Sequence, residues 1–130
     1  MPLTDAQKQF LQEKNFAHLA TLNADGSPQV TPVWIDVEGD IVLFNTEKKR
    51  LKTRNLQRDG RVALCVSSAS DPYKYIEIRG KVVGVTEEGA FEHIDQLAKK
   101  YMGADEYPYN QEGDVRMIFK ISPDKVSGRI

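Results

Sequence analysis

The sequence is poor in the residues that build disulfides, metal centres and nucleophilic sites. It has one cysteine and two histidines among 130 residues. A lone cysteine cannot form an internal disulfide, which indicates a reducing compartment. His18 and His93 belong to no Ser-His-Asp or Cys-His set and to no metal-ligand spacing. We therefore predict no metal site, interpret both histidines as structural and assign no catalytic residue.

Long hydrophobic runs and a net charge of either sign are also missing. No stretch approaches membrane-spanning length, and the N-terminus lacks the apolar core of a signal peptide. We therefore expect a cytoplasmic protein with no membrane partner. The formal net charge of −1 argues against a protein that coats nucleic acid. The apolar content of 40% is ordinary for a globular protein, and the length predicts one domain over residues 1–130.

The pattern of turns and apolar residues predicts short strands with helices at the periphery. Segment 3–15 reads as a helix that Thr4 caps, with Gln7 placed as in a capping box. Segment 86–103 reads as a second helix with Thr86 as its cap and Gly103 as its end. Along the chain, turn signals separate about six strands, the last of them after the second helix. The strand over residues 30–37 is expected to lie at an edge, to bulge or to bend, and Gly80 and Gly84 are expected to be bulge or bend points of the fifth strand. Cys65, inside "RVALCVSS", is expected to be buried. The predicted class is α+β, an antiparallel barrel with peripheral helices.

Positive charge is concentrated in the segment "FNTEKKRLKTRNLQRDGR", Phe44 to Arg61. It holds seven of the eighteen Lys and Arg residues. As a helix it would place like charges four residues apart, so it would gain stability from an anion beside it. We expect the helix to begin near Asn45 or Thr46, where a phosphate would meet free N–H groups, Arg50 and Lys52. There is no glycine-rich P-loop. The alternative is a basic helix that simply faces water.

Three stretches, "LATLNADGSPQVTPVWIDVEGDIVLFNT", "KRLKTRNLQRDGRVALCV" and "YKYIEIRGKV", together resemble the split β-barrel flavin-binding superfamily, the fold of pyridoxamine 5′-phosphate oxidase. Within it, the pattern R-x-K-T-R-N-L-x-R-D is similar to a branch of small F420-dependent oxidoreductases. The resemblance spans roughly residues 14–128. The contiguous Ser-Arg-Lys of pyridoxamine 5′-phosphate oxidase itself is absent, so vitamin B6 oxidation is not expected.

The resemblance implies a split barrel that forms a homodimer, with the cofactor in a groove at the interface. It implies that phosphate binds at the basic strand-to-helix junction and that the ring lies along one strand, while tyrosines, in the partner chain's copy, border the cofactor. Trp34 is expected to flank the ring or to point elsewhere. The cofactor-binding residues that it implies are Thr31, Pro32, Val33, Asn45, Thr46, Lys49, Arg50, Lys52, Asn55, Tyr73 and Tyr75.

The function that follows is hydride transfer from reduced coenzyme F420 to a small unsaturated or aromatic acceptor. The absence of acid–base residues is consistent with such an enzyme, because the cofactor supplies the reactivity and the protein positions the cofactor and the acceptor. An FMN-dependent reductase or oxidase of the same fold is the second candidate. A non-catalytic cofactor-binding protein is the third. Binding of single-stranded nucleic acid is disfavoured, because no aromatic residue interrupts the run from Lys48 to Arg61.

Overall fold

The computed structural model describes residues 2–130 and consists of one antiparallel sheet with three helices. The seven strands run in the spatial order β2-β1-β5-β6-β7-β4-β3. They are β1 (Phe16–Leu22), β2 (Pro28–Val33), β3 (Ile35–Glu38), β4 (Ile41–Glu47), β5 (Arg61–Ser67), β6 (Tyr75–Thr86) and β7 (Arg116–Arg129). The helices are α1 (Asp5–Gln12), α2 (Leu51–Arg58) and α3 (Ala90–Met102). Within residues 2–130, no helix is both long and apolar enough to span a bilayer.

The sheet is curled so that its two edges meet. β2 and β3 form the opposite edges of the sheet, yet only Trp34 separates Val33 from Ile35 along the chain. Two consecutive Cα–Cα steps span at most about 7.6 Å, so the edges must approach each other at Trp34. This closure makes a half-open barrel and confirms the predicted α+β split-barrel class. The single strand predicted over residues 30–37 is in fact two strands that bend apart at Trp34.

Alternating side chains build the core on the concave face of the sheet. In β5, Val62, Leu64 and Val66 are buried, and their cross-strand neighbours on β1 and β6 complete the same layer. Phe44 and Phe119 are cross-strand partners on β4 and β7, and their rings stack at 5.3 Å between centroids. The prediction that Cys65 is buried is wrong, because Cys65 alternates with Leu64 and Val66 and is exposed on the convex face.

The helices begin and end at recognisable caps. The Thr4 hydroxyl and the Gln7 side chain form the predicted capping box of α1. Gly103 ends α3 as predicted, at φ 70°, but its N-cap is Gly89 at φ 73°, not Thr86. Thr86 Oγ1 instead accepts the N–H of Glu88. The expected helix start near Asn45 or Thr46 is also wrong: both residues lie in β4, and α2 starts after its N-cap, Arg50.

Two glycines allow β6 to shift register against β7. The pairing shifts between Arg79 and Gly80 and again between Val82 and Gly84, as the sequence predicted for bends at these glycines. A Cβ at Gly80 would collide with the carbonyl oxygen of Ser122. A Cβ at Gly84 would meet nothing closer than Lys120 Cδ at 3.4 Å, the flexible part of a side chain.

We therefore expect Gly80→Ala to destabilise the protein and Gly84→Ala to leave it nearly unchanged. The Cβ of Gly80→Ala would push β6 and β7 apart, which lowers the free energy of unfolding by about 1–3 kcal/mol. The Cβ of Gly84→Ala has space, so its main effect is to restrict the backbone of the unfolded chain. Thermal unfolding of the two variants beside the wild-type protein measures this. Equal melting temperatures for the two variants would contradict the close approach of β6 and β7 at Gly80.

Candidate functional site

A groove of about 410 Å³ lies along the seam where the edges of the sheet meet. Its volume is in the range of small-molecule sites, roughly 300–1,000 Å³. Residues from β1, β2, β4, α2, α3 and β7 contribute to its walls. Seven of the residues predicted from the sequence line it, namely Thr31, Pro32, Val33, Asn45, Thr46, Arg50 and Lys52.

One wall of the groove is aromatic and is held rigidly. Trp34 stacks on Tyr101 at 5.4 Å between centroids with an interplanar angle of 3°, and Tyr107 meets it edge-on at 5.8 Å. The Tyr101 hydroxyl donates to the carbonyl of Asn15 at 2.8 Å and accepts the N–H of Ile35 at 3.3 Å. Burial raises the pKa of Tyr101 to about 12, so this hydroxyl stays protonated and keeps its donor bond.

Lys52 joins α2 to β2 across the seam. Its Nζ donates to Thr31 Oγ1 at 3.2 Å. Within residues 2–130 it has no carboxylate within 4.0 Å, the distance of an ion pair. Burial, and then the positive charges of Arg50 and Arg116, lower the pKa of Lys52 below its ordinary value of 10.5. Three cations therefore converge at this end of the groove, and their mutual repulsion favours a bound anion.

Arg116, at the start of β7, is the cation that the sequence analysis missed. It is buried, its Nε donates to Asn110 Oδ1 at 3.1 Å, and its guanidinium lies 4.7 Å from the ring centroid of Tyr107. No carboxylate of the described chain forms an ion pair with Arg116 or with Arg50. A buried guanidinium without a counter-ion carries an uncompensated desolvation cost. An anionic ligand would remove that cost.

Glu47 also lines the groove, but backbone N–H groups already donate hydrogen bonds to its carboxylate. Its carboxylate accepts the N–H of Lys49 at 2.7 Å and the N–H of Val115 at 3.0 Å. Burial raises the pKa of Glu47, but these backbone hydrogen bonds outweigh it and hold the pKa below its ordinary value. Glu47 thereby ties the turn before α2 to the start of β7, and so holds Arg50 and Arg116 on either side of the groove end.

Asn45 and Thr46 are both buried at the end of β4. Thr46 Oγ1 lies 3.1 Å from Thr53 Oγ1 and packs under α2. Asn45 Nδ2 donates to the carbonyl of Ala90 at 2.7 Å and lies 3.3 Å from His93 Nδ1. Asn45 Oδ1 has no hydrogen-bond partner within the described residues. The amide oxygen is thus a buried acceptor that the described residues leave unused.

His93 is held on its other side by Asp36. His93 Nε2 lies 3.5 Å from Asp36 Oδ2, and His93 is on the buried face of α3. Attraction to His93, together with the N–H of Val37, outweighs burial and lowers the pKa of Asp36. The residues 2–130 contain no group of three or more His, Cys, Asp or Glu side chains placed to bind a metal ion.

Four residues predicted for the site lie outside this groove. Lys49 is exposed in the turn before α2. Asn55 is buried and donates to Thr21 Oγ1 at 3.1 Å and Asn23 Oδ1 at 3.0 Å, so it braces α2 against the end of β1. Tyr73 and Tyr75 are 75% and 38% exposed on and beside the first residues of β6. This chain's groove does not bring them together with Lys52.

The groove residues that the sequence analysis missed come from parts of the chain that pairing and packing bring in. They are Phe16, Ala17, Glu47, Ile94 and Arg116. Tyr107 also lines the groove, a residue that from the sequence could equally line a pocket or pack within its loop. Arg116 is the cross-strand partner of Glu47, and no local pattern reveals that register. The one sequence signal that could have drawn attention to Arg116 is its position immediately before the apolar run "MIF".

Comparison with known proteins identifies relatives of this fold. Residues 3–129 match the family model described as pyridoxamine 5′-phosphate oxidase. No curated protein sequence matches the chain. A solved structure of an F420 reductase is 28% identical, with a TM-score of 0.82 over 96% of this chain and 98% of that one.

Two further solved structures show the same fold at lower identity. The conserved hypothetical protein Rv2991 from Mycobacterium tuberculosis is 22% identical, with a TM-score of 0.72 over 95% of this chain and 82% of that one. General Stress Protein 26 from Bacillus anthracis is 18% identical, with a TM-score of 0.66 over 91% of this chain and 86% of that one.

We expect Lys52→Met to raise the melting temperature of the unliganded protein by one to a few degrees, because it removes a half-buried charge whose neighbours are also positive. Because the folded-state pKa of Lys52 is lowered, its ammonium form destabilises the fold throughout the neutral range. That cost disappears as the pH rises through the folded pKa towards 10.5. The advantage of methionine should therefore shrink at alkaline pH.

The matched control is Lys48→Met, since Lys48 is exposed four residues earlier. It should leave the melting temperature unchanged across the same pH series. A lower melting temperature for Lys52→Met than for Lys48→Met at neutral pH would show that the ammonium stabilises the unliganded groove.

Proposed function

This chain belongs to the pyridoxamine 5′-phosphate oxidase family, and on that premise we propose that it is an F420-dependent oxidoreductase. The fold is that of a flavin-binding oxidoreductase family. The proposed reaction is hydride transfer from reduced coenzyme F420 to a small unsaturated or aromatic acceptor. The observation that carries the proposal is the set of uncompensated cations, Arg50, Lys52 and Arg116, at one end of a ring-sized groove.

The cationic end of the groove suits the phosphate of a bound cofactor. Arg50 and Arg116 each offer a planar fork that matches two phosphate oxygens, and Lys52 adds a compact charge between them. Coenzyme F420 carries a phosphodiester with an acidic oligoglutamate tail, whereas FMN carries a terminal phosphate. The 28% identity to an F420 reductase over nearly the whole of both chains favours the deazaflavin.

The strand wall of the groove suits a flat ring. Thr31, Pro32 and Val33 form the end of β2, and Trp34 continues the wall with its ring fixed against Tyr101. When bound, the reduced deazaflavin supplies a hydride. The residues of this chain hold the ring against the wall, leave its other face for the acceptor and keep water out. Hydride transfer in this arrangement needs no acid–base pair within the groove.

FMN is the second candidate cofactor, and the compactness of the cation cluster favours it. The charges of Arg50 and Arg116 are close enough to lower the pKa of Lys52, and a doubly charged terminal phosphate would neutralise such a cluster well. Arg58, a further cation of the basic segment, donates to the carbonyl of Leu22 and to Asn55 Oδ1, so it is not free to bind a longer anionic tail. A carrier that binds the cofactor without turnover is the third candidate.

A fluorescence titration of the purified protein with coenzyme F420 and with FMN, side by side, tests the proposal. We expect tighter binding of F420, followed by oxidation of its reduced form when an unsaturated acceptor is added. Tighter binding of FMN would move the protein to the flavin-dependent branch. F420 binding without turnover of any acceptor would favour the carrier.

Lys52→Ala is expected to weaken cofactor binding on the order of 10- to 100-fold, because a charged hydrogen bond to phosphate is lost. Lys48→Ala serves as the control, since it removes an equal charge from an exposed position in the turn before α2. If both variants bind the cofactor as tightly as the wild-type protein does, Lys52 is not a phosphate ligand.

We further propose that the protein is a homodimer with the cofactor at the interface. Phe16, Ser67 and Tyr75 are aligned partners across β1, β5 and β6, and Val30 pairs with Ala20 on the same convex face. Phe16, Val30 and Tyr75 are 46%, 61% and 38% exposed, so a second copy would cover an apolar face there. That packing would bring Tyr73 and Tyr75 towards the partner's groove.

Val30→Glu is expected to shift the protein from dimer to monomer and to weaken F420 binding at the same time. The glutamate would place a charge within the proposed interface, on the face of β2 opposite to the Thr31 side chain. Sedimentation velocity and the fluorescence titration measure the two effects on one sample. A monomer that still binds F420 tightly would contradict the interface site.

A further inference from the structure

Lys100, in the last turn of α3, is a half-buried lysine whose ammonium is bound by backbone oxygens. Its Nζ donates to the carbonyl of Leu11 at 2.9 Å and to the carbonyl of Ile35 at 2.8 Å. Burial lowers the pKa of Lys100 below its ordinary value of 10.5, and the negative charge of Asp36 opposes that shift. Among the residues that the structure describes, no carboxylate lies within 4.0 Å of this ammonium. The two carbonyls are therefore its direct polar partners.

These carbonyls belong to two different elements of the fold. Leu11 lies in the last turn of α1, where backbone carbonyls have no partner within the helix. Ile35 is the first residue of β3 and directly follows Trp34. A single ammonium on α3 thus holds the end of α1 and the start of β3.

Tyr101, the next residue of α3, adds a second tie to the start of β3. Its hydroxyl accepts the N–H of Ile35 at 3.3 Å and donates to the carbonyl of Asn15 at 2.8 Å. Lys100 and Tyr101 together therefore contact both backbone polar groups of Ile35. Because β3 is an edge strand, one side of it has no neighbouring strand to supply such contacts. We call Lys100 and Tyr101 the α3 clasp.

The α3 clasp holds Trp34 in two ways. It binds the backbone of Ile35, the next residue along the chain, and it supplies the Tyr101 ring on which the Trp34 ring stacks. Lys100 Nζ also lies 4.8 Å from the centroid of the Tyr101 ring. Trp34 lines the groove, but Lys100 and Tyr101 do not. The clasp can therefore affect a ligand in the groove only through the wall that it supports.

We propose that Lys100 and Tyr101 are positioning residues, which fix Trp34 in the orientation that forms the ring wall of the groove. The inference rests on the proposed function, because this wall matters to a ligand only if a flat ring lies against it. An ordered wall favours binding, since a ligand that must itself order a side chain binds more weakly. Within residues 2–130, the hydrogen bonds of the clasp involve neither Arg50 nor Lys52, so binding of an anion should not depend on it.

The first test uses the fluorescence of Trp34, which is the single tryptophan of the chain. Lys100→Met keeps an apolar stem beside Tyr101 but removes the N–H donors. We expect acrylamide to quench Trp34 more strongly in this variant than in the wild-type protein. Lys99→Met, which removes the same charge from an exposed neighbour, should leave the quenching unchanged. Equal quenching in the wild-type protein and in Lys100→Met would overturn the inference.

The second test separates the ring wall from the anionic end of the groove. The ring ligand is F420 or FMN, whichever the wild-type protein binds more tightly. Lys100→Met should bind it roughly 3- to 10-fold more weakly, because the ligand must then order Trp34. Inorganic phosphate, measured as a competitor, should keep its dissociation constant within about 2-fold. Losses of equal proportion for both ligands would show that Lys100 only stabilises the fold, and would overturn the inference.

Tyr101→Phe tests the same inference through a smaller change. It removes one hydroxyl and keeps the ring that stacks on Trp34, so it replaces Lys100→Met if that variant does not fold. The same increase in quenching and the same selective loss of ring affinity are expected. If the wild-type protein binds neither F420 nor FMN, the proposed function is overturned, whereas the quenching comparison still decides whether the α3 clasp fixes Trp34.

Discussion

The structure depends on a one-residue connection between strands that form opposite edges of the sheet. Because only Trp34 links β2 to β3, the sheet must curl until these edges meet. That closure buries Phe44, Phe119 and the rest of the concave layer, and it creates the seam that forms the groove. Trp34 itself becomes a groove wall, with its ring stacked on Tyr101 of α3. The contact between the two sheet edges therefore closes the barrel and forms the groove at the same time.

Polar and charged groups whose burial the chain compensates only in part lie along that seam. Elsewhere, the buried side chains of Asn15, Asn55 and Tyr101 have hydrogen bonds within the chain. At the groove, by contrast, Lys52 is desolvated beside two other cations and Asn45 Oδ1 has no donor among the described residues. Such groups lower the stability of the unliganded protein. The three cations at one end of the groove favour a ligand with an anionic group at that end.

Much of the fold was predictable from the sequence because its signals are local. The capping box at Thr4, the bends at Gly80 and Gly84, and the C-terminal Gly103 of α3 are all read from neighbouring residues. The errors involve longer-range packing. Cys65 has apolar neighbours but lies on the convex face, and the strand over residues 30–37 divides because barrel closure, not local propensity, decides where it bends. Arg116 enters the groove only through its pairing with Glu47.

The basic segment shows why charge density alone is a poor guide to a site. Of its seven cations, only two, Arg50 and Lys52, line the groove. Arg58 instead donates to the carbonyl of Leu22 at the end of β1, and Arg61 pairs with Asp59 two residues earlier. The remaining lysines and Arg54 face water. The segment is therefore a solvated basic face along most of its length. It is a groove wall at Arg50 and Lys52, where the half-buried ammonium of Lys52 has no carboxylate partner among the described residues.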